Sequence, residues 1–333
     1  MTKPLVSVIM TVYNAEHYLD NSITSILSQT YSNFEFIIID DCSTDNSYQI
    51  LQKYAALDKR IKLFRNTVNK KQAFSANIGI ENSAGKYIVR MDADDISLPD
   101  RIMQQVNFME QNQDVVVCGA RCSVIRDDVD SIGVVNNSSG EHGFCGVRET
   151  GKILEFASDP DVVSIKMYLF CCELAQPAVI MSSKIFKQYK LKYRENNDNY
   201  AEDWQLWIDI LDNGMKISNL DSILLHYRDS PLQVTKQNSV NIAISRKDIL
   251  SYGLSKLFRN KLTDTIIDTH LKLLLAPKGI GFIFKLGAYY KHLKMLKAAN
   301  KKNRIFDVSK FDEFINQYYL RNKLLKKLSC RRH

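Results

Sequence analysis

The stretch LVSVIMTVYNAEHYLDNSITSILSQTYSNFEFIIIDDCSTD, residues 5–45, holds one strand–helix–strand unit. Residues 6–11 and 34–40 are short apolar runs rich in β-branched side chains, the composition of strands buried on both faces. Between them, residues 16–29 place Leu19, Ile23, Ile26 and Leu27 on one helical face. The alternation continues outward. Residues 61–65, 87–91 and 115–118 read as further strands. Residues 45–57 carry Ile50, Leu51, Tyr54 and Leu57 on a second helical face. Residues 99–112 open with Pro99, suited to a first helical turn, and carry Ile102, Met103, Val106 and Met109. Such alternation implies an α/β protein with a mostly parallel central sheet and helices on both faces.

Residues 127–160 contain DDVD, NNSSG, EHG and SDPD without an apolar period, and read as a long surface loop. Order resumes over 162–169, followed by a strand at 178–181, a helix at 202–213 ending at Gly214, and strands at 215–220 and 223–227. Beyond about residue 240 the pattern is helical and basic. Two regions are expected, 1–235 and 236–333.

The 333 residues are 45% hydrophobic and 10% aromatic with 13 Gly and 6 Pro, which excludes disordered, collagen-like and disulfide-scaffold proteins. The net charge of +8 hides an asymmetry. Residues 1–235 hold 23 basic and 31 acidic side chains, a net of −8, and residues 236–333 hold 22 and 6, a net of +16. A cationic segment of this kind seeks an anionic surface, lipid or nucleic acid. Nothing reads as a secretory signal or approaches the roughly 18 to 20 apolar residues of a spanning helix; residues 280–290 (IGFIFKLGAYY) are too short and are broken by Lys285. Seven irregularly spaced cysteines support neither a zinc site nor a disulfide frame and read as reduced thiols of a cytosolic protein.

The chemistry concentrates at strand ends. KYIVRMDADD, residues 86–95, ends in Asp92, Asp94 and Asp95. Crowded carboxylates raise one another's pKa, and a divalent cation relieves that cost; oxygen ligands suit Mg or Mn and leave positions for a diphosphate. The plain alternative is an acidic cluster satisfying backbone N–H groups at the start of the following helix. The first strand ends in Thr11-Val12-Tyr13-Asn14, where Tyr13 can stack on a base. The second ends in Asp40-Asp41, where Asp41 can accept a hydrogen from base or ribose. Asn14 and Ser43 have a plainer role as helix caps. Ligands bind at the carboxyl ends of strands in open α/β sheets, so three polar ends on one edge suggest a nucleotide crevice. Neither a dinucleotide fingerprint nor a phosphate-binding glycine loop is present. Asp203, in Glu202-Asp203-Trp204, is a candidate general base or an ordinary helix-initiating acid.

SVIMTVYN at 7–14, EFIIIDDCSTD at 35–45, NIGIENSAGKYIVRMDADDISLPDRI at 77–102 and AEDWQLW at 201–207 occur in this order. Together they resemble the inverting family 2 glycosyltransferases of the GT-A fold found in bacterial polysaccharide assembly, over roughly residues 5 to 228. The resemblance implies a UDP-sugar donor held by Thr11, Val12, Tyr13, Asn14, Asp41, Lys71, Asp92 and Ala93. It implies Mn or Mg on Asp94 and Asp92, with Asp94 the more direct ligand, and Asp203 as the base that deprotonates the acceptor hydroxyl. Gln176, Glu202 and Trp204 would lie on the acceptor side. An α-linked donor would then give a β-glycoside in one displacement.

The sequence departs from the family in places. Ser75-Ala76 precedes Asn77-Ile78-Gly79 where many relatives have an Arg, so a diphosphate contact is expected from Lys70 or Lys71 instead. Tyr227-Arg228-Asp229-Ser230 lacks the His of the family's Tyr-Arg-x-His, and His226, three positions away, reads as a packing or surface residue. No Q-x-x-R-W follows the Glu-Asp pair, which points to a non-processive enzyme adding one sugar. The basic tail reads either as an amphipathic helix lying on an anionic membrane or as an extension that packs or dimerises. The family context, with lipid-linked acceptors, favours the membrane and a peripheral position on the cytoplasmic face of the inner membrane. Nucleic acid is not an expected partner, because no binding module is recognisable. Two other readings stand beside the transferase: a non-catalytic sugar-nucleotide or membrane-surface binding protein, and a nucleotidyltransferase.

Overall fold

A computed structural model describes residues 3–126, 150–195, 201–230, 238–274 and 286–317. The chain divides into two units, residues 1–160 with 172–242, and residues 161–171 with 243–333.

The first unit is built on a nine-stranded mixed sheet. Its strands are β1 (Val6–Val12), β2 (Phe34–Asp40), β3 (Ile61–Arg65), β4 (Tyr87–Asp92), β5 (Ile96–Ser97), β6 (Val115–Ile125), β7 (Ile153–Leu154), β8 (Ile180–Ser182) and β9 (Lys216–Arg228). The order is β3-β2-β1-β4-β8-β6-β9-β5, with β7 on β6. Strands β1 to β4 pair in parallel, β8 runs antiparallel between β4 and β6, and β9 returns parallel to β6. Six strands therefore share one direction.

Helices α1 (Leu19–Leu27), α2 (Ser47–Leu57), α3 (Lys71–Glu81) and α4 (Arg101–Gln111) connect the early strands. Leu19, Ile23 and Ile26 of α1 and Ile102, Val106 and Met109 of α4 share one apolar cluster with Val6, Val8 and Met10, which alternate along β1. The opposite face of β1 meets α3. A Cβ at Gly79 would fall 2.5 Å from Ile9 Cγ2 and 2.9 Å from Ile39 Cδ1, so the helix sits this close only because residue 79 has no side chain. Sequence periodicity does not reveal α3, because Ile80 is the one large apolar side chain among its buried residues, the others being Ser75, Ala76, Asn77 and Gly79.

Two strand expectations change. Residues 215–220 and 223–227 are one strand, whose pairing with β6 jumps from Ala120↔Leu220 to Arg121↔Ile223 to Cys122↔Leu225. The irregular Asp221-Ser222 step reads as a break in the sequence but is a bulge in a continuous ladder. Residues 153–154, expected inside the long loop, pair with β6 as β7; the loop's residues 127–149 lie outside the described residues. Helix α6 (Lys184–Lys187) and α7 (Glu202–Asp212) complete this unit.

The second unit gathers most of α5 (Pro160–Leu169) with α8 (Ser239–Phe258), α9 (Asp264–Leu274), α10 (Leu286–Asn303) and a helical stretch over 308–317. Phe170 packs edge-on against Phe314, and Phe306 stacks on Phe311. Buried His270 and His292 share a hydrogen bond of 2.9 Å, and His270 Nε2–H donates to the Leu169 carbonyl. Burial holds both pKa values near 4, so both rings are neutral at pH 7, and with Nε2–H of His270 donating, its Nδ1 is the acceptor. Among the described residues no helix is long and apolar enough to cross a membrane, and Cys42 and Cys118 form no disulfide. The tail residues 275–285 and 318–333 lie outside the described residues.

Candidate functional site

The register of the parallel strands brings the polar ends together. Val12 lies opposite Asp40, and Thr11 lies opposite Asp92. The loops after β1 and β2 are braced on each other. The Asn14 N–H donates to Ser43 Oγ (3.1 Å), and the Thr44 N–H donates to Asn14 Oδ1 (2.8 Å). Neither Asn14 nor Ser43 caps a helix: α1 starts after Tyr18 and α2 after Asn46, both without a side-chain cap. Asn14 instead ties the two loops together.

Asp41 is buried, and its Oδ1 accepts from Asn66 Nδ2 (2.7 Å) and the Lys70 N–H (2.8 Å). These bonds hold the chain that leads into α3. Backbone strain collects around this crevice. Asn14, Cys42 and Lys71, three of the six non-glycine residues with positive φ among those described, stand at φ 49°, 63° and 66°. Such values are costly for side-chain-bearing residues and cluster where function over-determines the backbone. Lys70 holds its ammonium 5.6 Å from the Phe74 ring centroid, whereas Lys71 is the first residue of α3, at the positive end of that helix. Tyr13 is half exposed and Val12 buried.

The three carboxylates after β4 divide by environment. Asp95 is buried; its Oδ1 accepts the Arg228 N–H at 2.8 Å, and burial followed by the charges of Asp94 and Asp92 raises its pKa well above the usual range. Asp92 keeps 27% of its side chain exposed, and Asp94 is half buried. Burial also raises Asp92, against the pull of Arg90 and Arg101. None of the three caps α4, whose N-cap is Asp100. Arg228 Nε donates to the Asp94 carbonyl (2.8 Å), and its guanidinium lies over the Tyr18 ring.

Two arginines buried beneath this turn were not singled out from the sequence. Arg90 donates to the Ile9 carbonyl at 3.0 Å and stands 3.6 Å from Asp92 Oδ1. Arg101 donates to the Arg90 carbonyl at 2.7 Å, and burial lowers its pKa to about 10. A charged residue interrupting the apolar run of a central strand was the available signal for Arg90.

The Glu202-Asp203 pair opens α7, where Asp203 Oδ1 accepts the Trp204 N–H at 2.7 Å. Burial, then the charge of Asp203, lifts Glu202 to about 7, and Asp92 and Arg90 act on it too, so this pair lies within electrostatic reach of the β4 turn. The chain before it is held by Asn77. Tyr193 N–H donates to Asn77 Oδ1 (3.0 Å), and Asn77 Nδ2 donates to the Tyr193 carbonyl (2.9 Å). Trp204 is buried, and Ala93 is nearly so. Gln176 begins a short 3₁₀ turn before β8 and accepts from Gln72 Nε2 at 3.0 Å. His226 is half buried on β9 and bonded to Ser123, a packing residue.

Asp92 and Asp94 offer oxygen donors only. Among the described residues no set of three His, Cys, Asp or Glu side chains gathers as a metal site. Two carboxylates at a crowded, acid-rich turn fit a hard divalent cation whose remaining ligands are a substrate's phosphate oxygens and water.

Residues 7–144 match the family model for glycosyl transferase family 2. An uncharacterised glycosyltransferase of Haemophilus influenzae is 34% identical over 260 residues, 76% of each chain. The chain belongs to glycosyltransferase family 2. A more specific relative, the Escherichia coli UDP-Glc:alpha-D-GlcNAc-diphosphoundecaprenol beta-1,3-glucosyltransferase WfgD, is 28% identical over 69% of this chain and 79% of its own. The fold matches S. aureus TarS 1-349 in complex with UDP-GlcNAc with a TM-score of 0.57, at 18% identity, over 97% of this chain and 91% of that one.

Proposed function

We propose that the protein transfers one sugar from a UDP-sugar to a hydroxyl of a lipid-linked glycan in cell-surface polysaccharide synthesis, with inversion at the anomeric carbon. The observation that carries this reading is the meeting of Thr11, Asp41 and the Asp92–Asp94 turn on one sheet edge, within electrostatic reach of Glu202 and Asp203. Tyr13 stacks on the uracil, Asp41 accepts from base or ribose, and Thr11, Val12, Asn14 and Ala93 frame them. Lys71 at the positive end of α3 meets the diphosphate. Asp94 and Asp92 would hold Mn or Mg, which when bound neutralises charge growing on the departing UDP.

Asp203 takes the proton of the acceptor hydroxyl. The hydroxyl oxygen attacks the anomeric carbon opposite the diphosphate, the bond from that carbon to the diphosphate oxygen breaks, and UDP leaves with the electron pair. Burial, then the charge of Asp203, lifts Glu202 to about 7, so about half of it carries its proton at pH 7. Gln176, Glu202 and Trp204 flank the acceptor's approach. A lipid-linked acceptor agrees with the diphosphoundecaprenol-linked acceptor in the name of the E. coli relative. The net +16 of residues 236–333 suits an anionic membrane surface, which would place the enzyme peripherally on the cytoplasmic face.

The test is UDP release from UDP-Glc, UDP-Gal, UDP-GlcNAc and UDP-GalNAc with Mn, by wild type, Asp94→Ala and Asp203→Asn. The reading stands if one donor is turned over, Asp94→Ala abolishes turnover, and Asp203→Asn binds donor without transferring. A wild type that binds no sugar nucleotide, with Mn and Mg across detergent and lipid conditions, would favour a binding protein of another ligand.

A further inference from the structure

Residues 193–195 are bonded to two helices at once. On one side lies Asn77, in the middle of α3 and buried. Its Oδ1 accepts the Tyr193 N–H at 3.0 Å, and its Nδ2 donates to the Tyr193 carbonyl at 2.9 Å and to Glu195 Oε1 at 2.8 Å. A backbone N–H only donates and a carbonyl only accepts, so both ends of the amide are assigned. Asparagine copies here the paired bonds of a neighbouring strand; aspartate lacks the donor and leucine lacks both groups. On the other side, Arg194 donates from Nη2 to Asp209 Oδ1 at 2.7 Å and from Nε to Asp209 Oδ2 at 3.2 Å, a two-point bond to α7. Glu202, Gln205 and Asp209 stand at i, i+3 and i+7 on one face of α7, and Gln205 Nε2 reaches the same carboxylate at 3.5 Å.

The two helices carry opposite halves of the reaction centre. Helix α3 begins with Lys71, assigned to the diphosphate, and α7 begins with Glu202 and Asp203. The tight fit of Gly79 against Ile9 and Ile39 makes α3 the fixed member. The Arg194 side chain is 56% exposed, and an ion pair this wet adds little to stability. Its fork geometry does set orientation. We propose that Arg194 is a positioning residue for Asp203: Asn77 holds residues 193–195 to α3, and Arg194, through Asp209, holds α7 so that the base meets the acceptor hydroxyl. This rests on the transferase reading above and goes beyond it, since the spacing of diphosphate and base is assigned to side chains outside the reaction centre. Asp209 lies about 9 Å along the helix axis from Asp203, so Arg194 acts through α7 rather than on the substrate.

The experiment uses the full chain and follows UDP release, with Mn, from whichever of UDP-Glc, UDP-Gal, UDP-GlcNAc and UDP-GalNAc the wild type turns over fastest. The Kd of that donor and a thermal melt are recorded alongside. Wild type is compared with Arg194→Met, Asp209→Asn and the double variant. Each single variant is expected to lower kcat about 3- to 10-fold, because a small displacement of a reacting group is costly in rate. The donor's KM and Kd should stay within about twofold, a split that general loss of structure would not produce. The double variant should lose no more than either single one, because both break the same contact. Asn77→Asp keeps the acceptor for the Tyr193 N–H but not the donor to its carbonyl, and should lower kcat in the same way. Should that buried variant lose its cooperative melting transition, the exposed Arg194–Asp209 pair carries the comparison. An unchanged kcat in Arg194→Met, a donor Kd that weakens in step with kcat, or additive losses would overturn the proposal. If wild type turns over no UDP-sugar, the transferase reading fails first, and the wild type alone shows that.

Discussion

The backbone N–H of Arg228 donates to Asp95 Oδ1 at 2.8 Å, so the last residue of β9 is tied to the turn that carries Asp92 and Asp94. The three acids of that turn therefore do different jobs. Asp95 is buried and anchors, while the acids on either side of Ala93 are half buried.

Replacing Asp95 separates its oxygen from its charge. Asp95→Asn keeps an acceptor for the Arg228 N–H and removes a group whose ionisation burial, Asp94 and Asp92 all oppose, so its unfolding free energy should match or exceed that of wild type. Asp95→Ala leaves the N–H unpaired and should cost about 1–3 kcal/mol. Urea unfolding of both variants at pH 7 checks the order.

Lys71 allows backbone and side chain to be told apart. Its φ of 66° is costly for lysine, by roughly 1 kcal/mol or more, but free for glycine. Lys71→Gly should therefore unfold at higher denaturant than Lys71→Ala. Both should weaken UDP binding alike, by several-fold, if the ammonium meets the diphosphate. Equal stability with unequal binding would reverse the assignment.

Glu202 makes stability depend on pH. Its folded pKa of about 7 lies above the unfolded value of about 4.3, so the folded chain holds the extra proton between them. Stability is lost as pH rises from about 4.5 to 7 and stays lower above that. Glu202→Gln should raise Tm at pH 8 and give no gain at pH 4. A thermal-melt series across that range reads the difference directly.

Two glycines differ in what crowds them. A Cβ at Gly253 would lie 1.9 Å from the Tyr168 carbonyl oxygen, a backbone atom, whereas one at Gly79 meets the side-chain methyls of Ile9 and Ile39. Side chains can shift and a carbonyl in a packed helix cannot easily do so. Gly79→Ala should cost about 1–3 kcal/mol and Gly253→Ala more than that, as calorimetry of the two variants would show.

Several features were legible in the chain because they depend on local order. The short β-branched apolar runs and the period-3.6 faces located β1, β2, β3 and β4 with α1, α2 and α4, and four ordered motifs named the family. Helix α3 escaped, because its close approach to β1 demands a glycine at 79 and most of its other buried residues are small or polar, which leaves no apolar signature. The single strand β9 escaped because a bulge looks like a loop when its partner β6, 100 residues earlier, is not in view.

The sequence by itself determined the α/β alternation, the acid-rich strand end and the separation of charge between body and tail, since each is a property of neighbouring residues. Only the tertiary structure decided that Asp95 is buried while Asp92 and Asp94 are half buried, that Gln72 bonds both Asp92 and Gln176, and that residues 161–171 group with helices that begin some 70 residues later. Those outcomes rest on contacts between residues far apart in the chain. Burial and hydrogen-bond partners exist only once the sheet has brought them together.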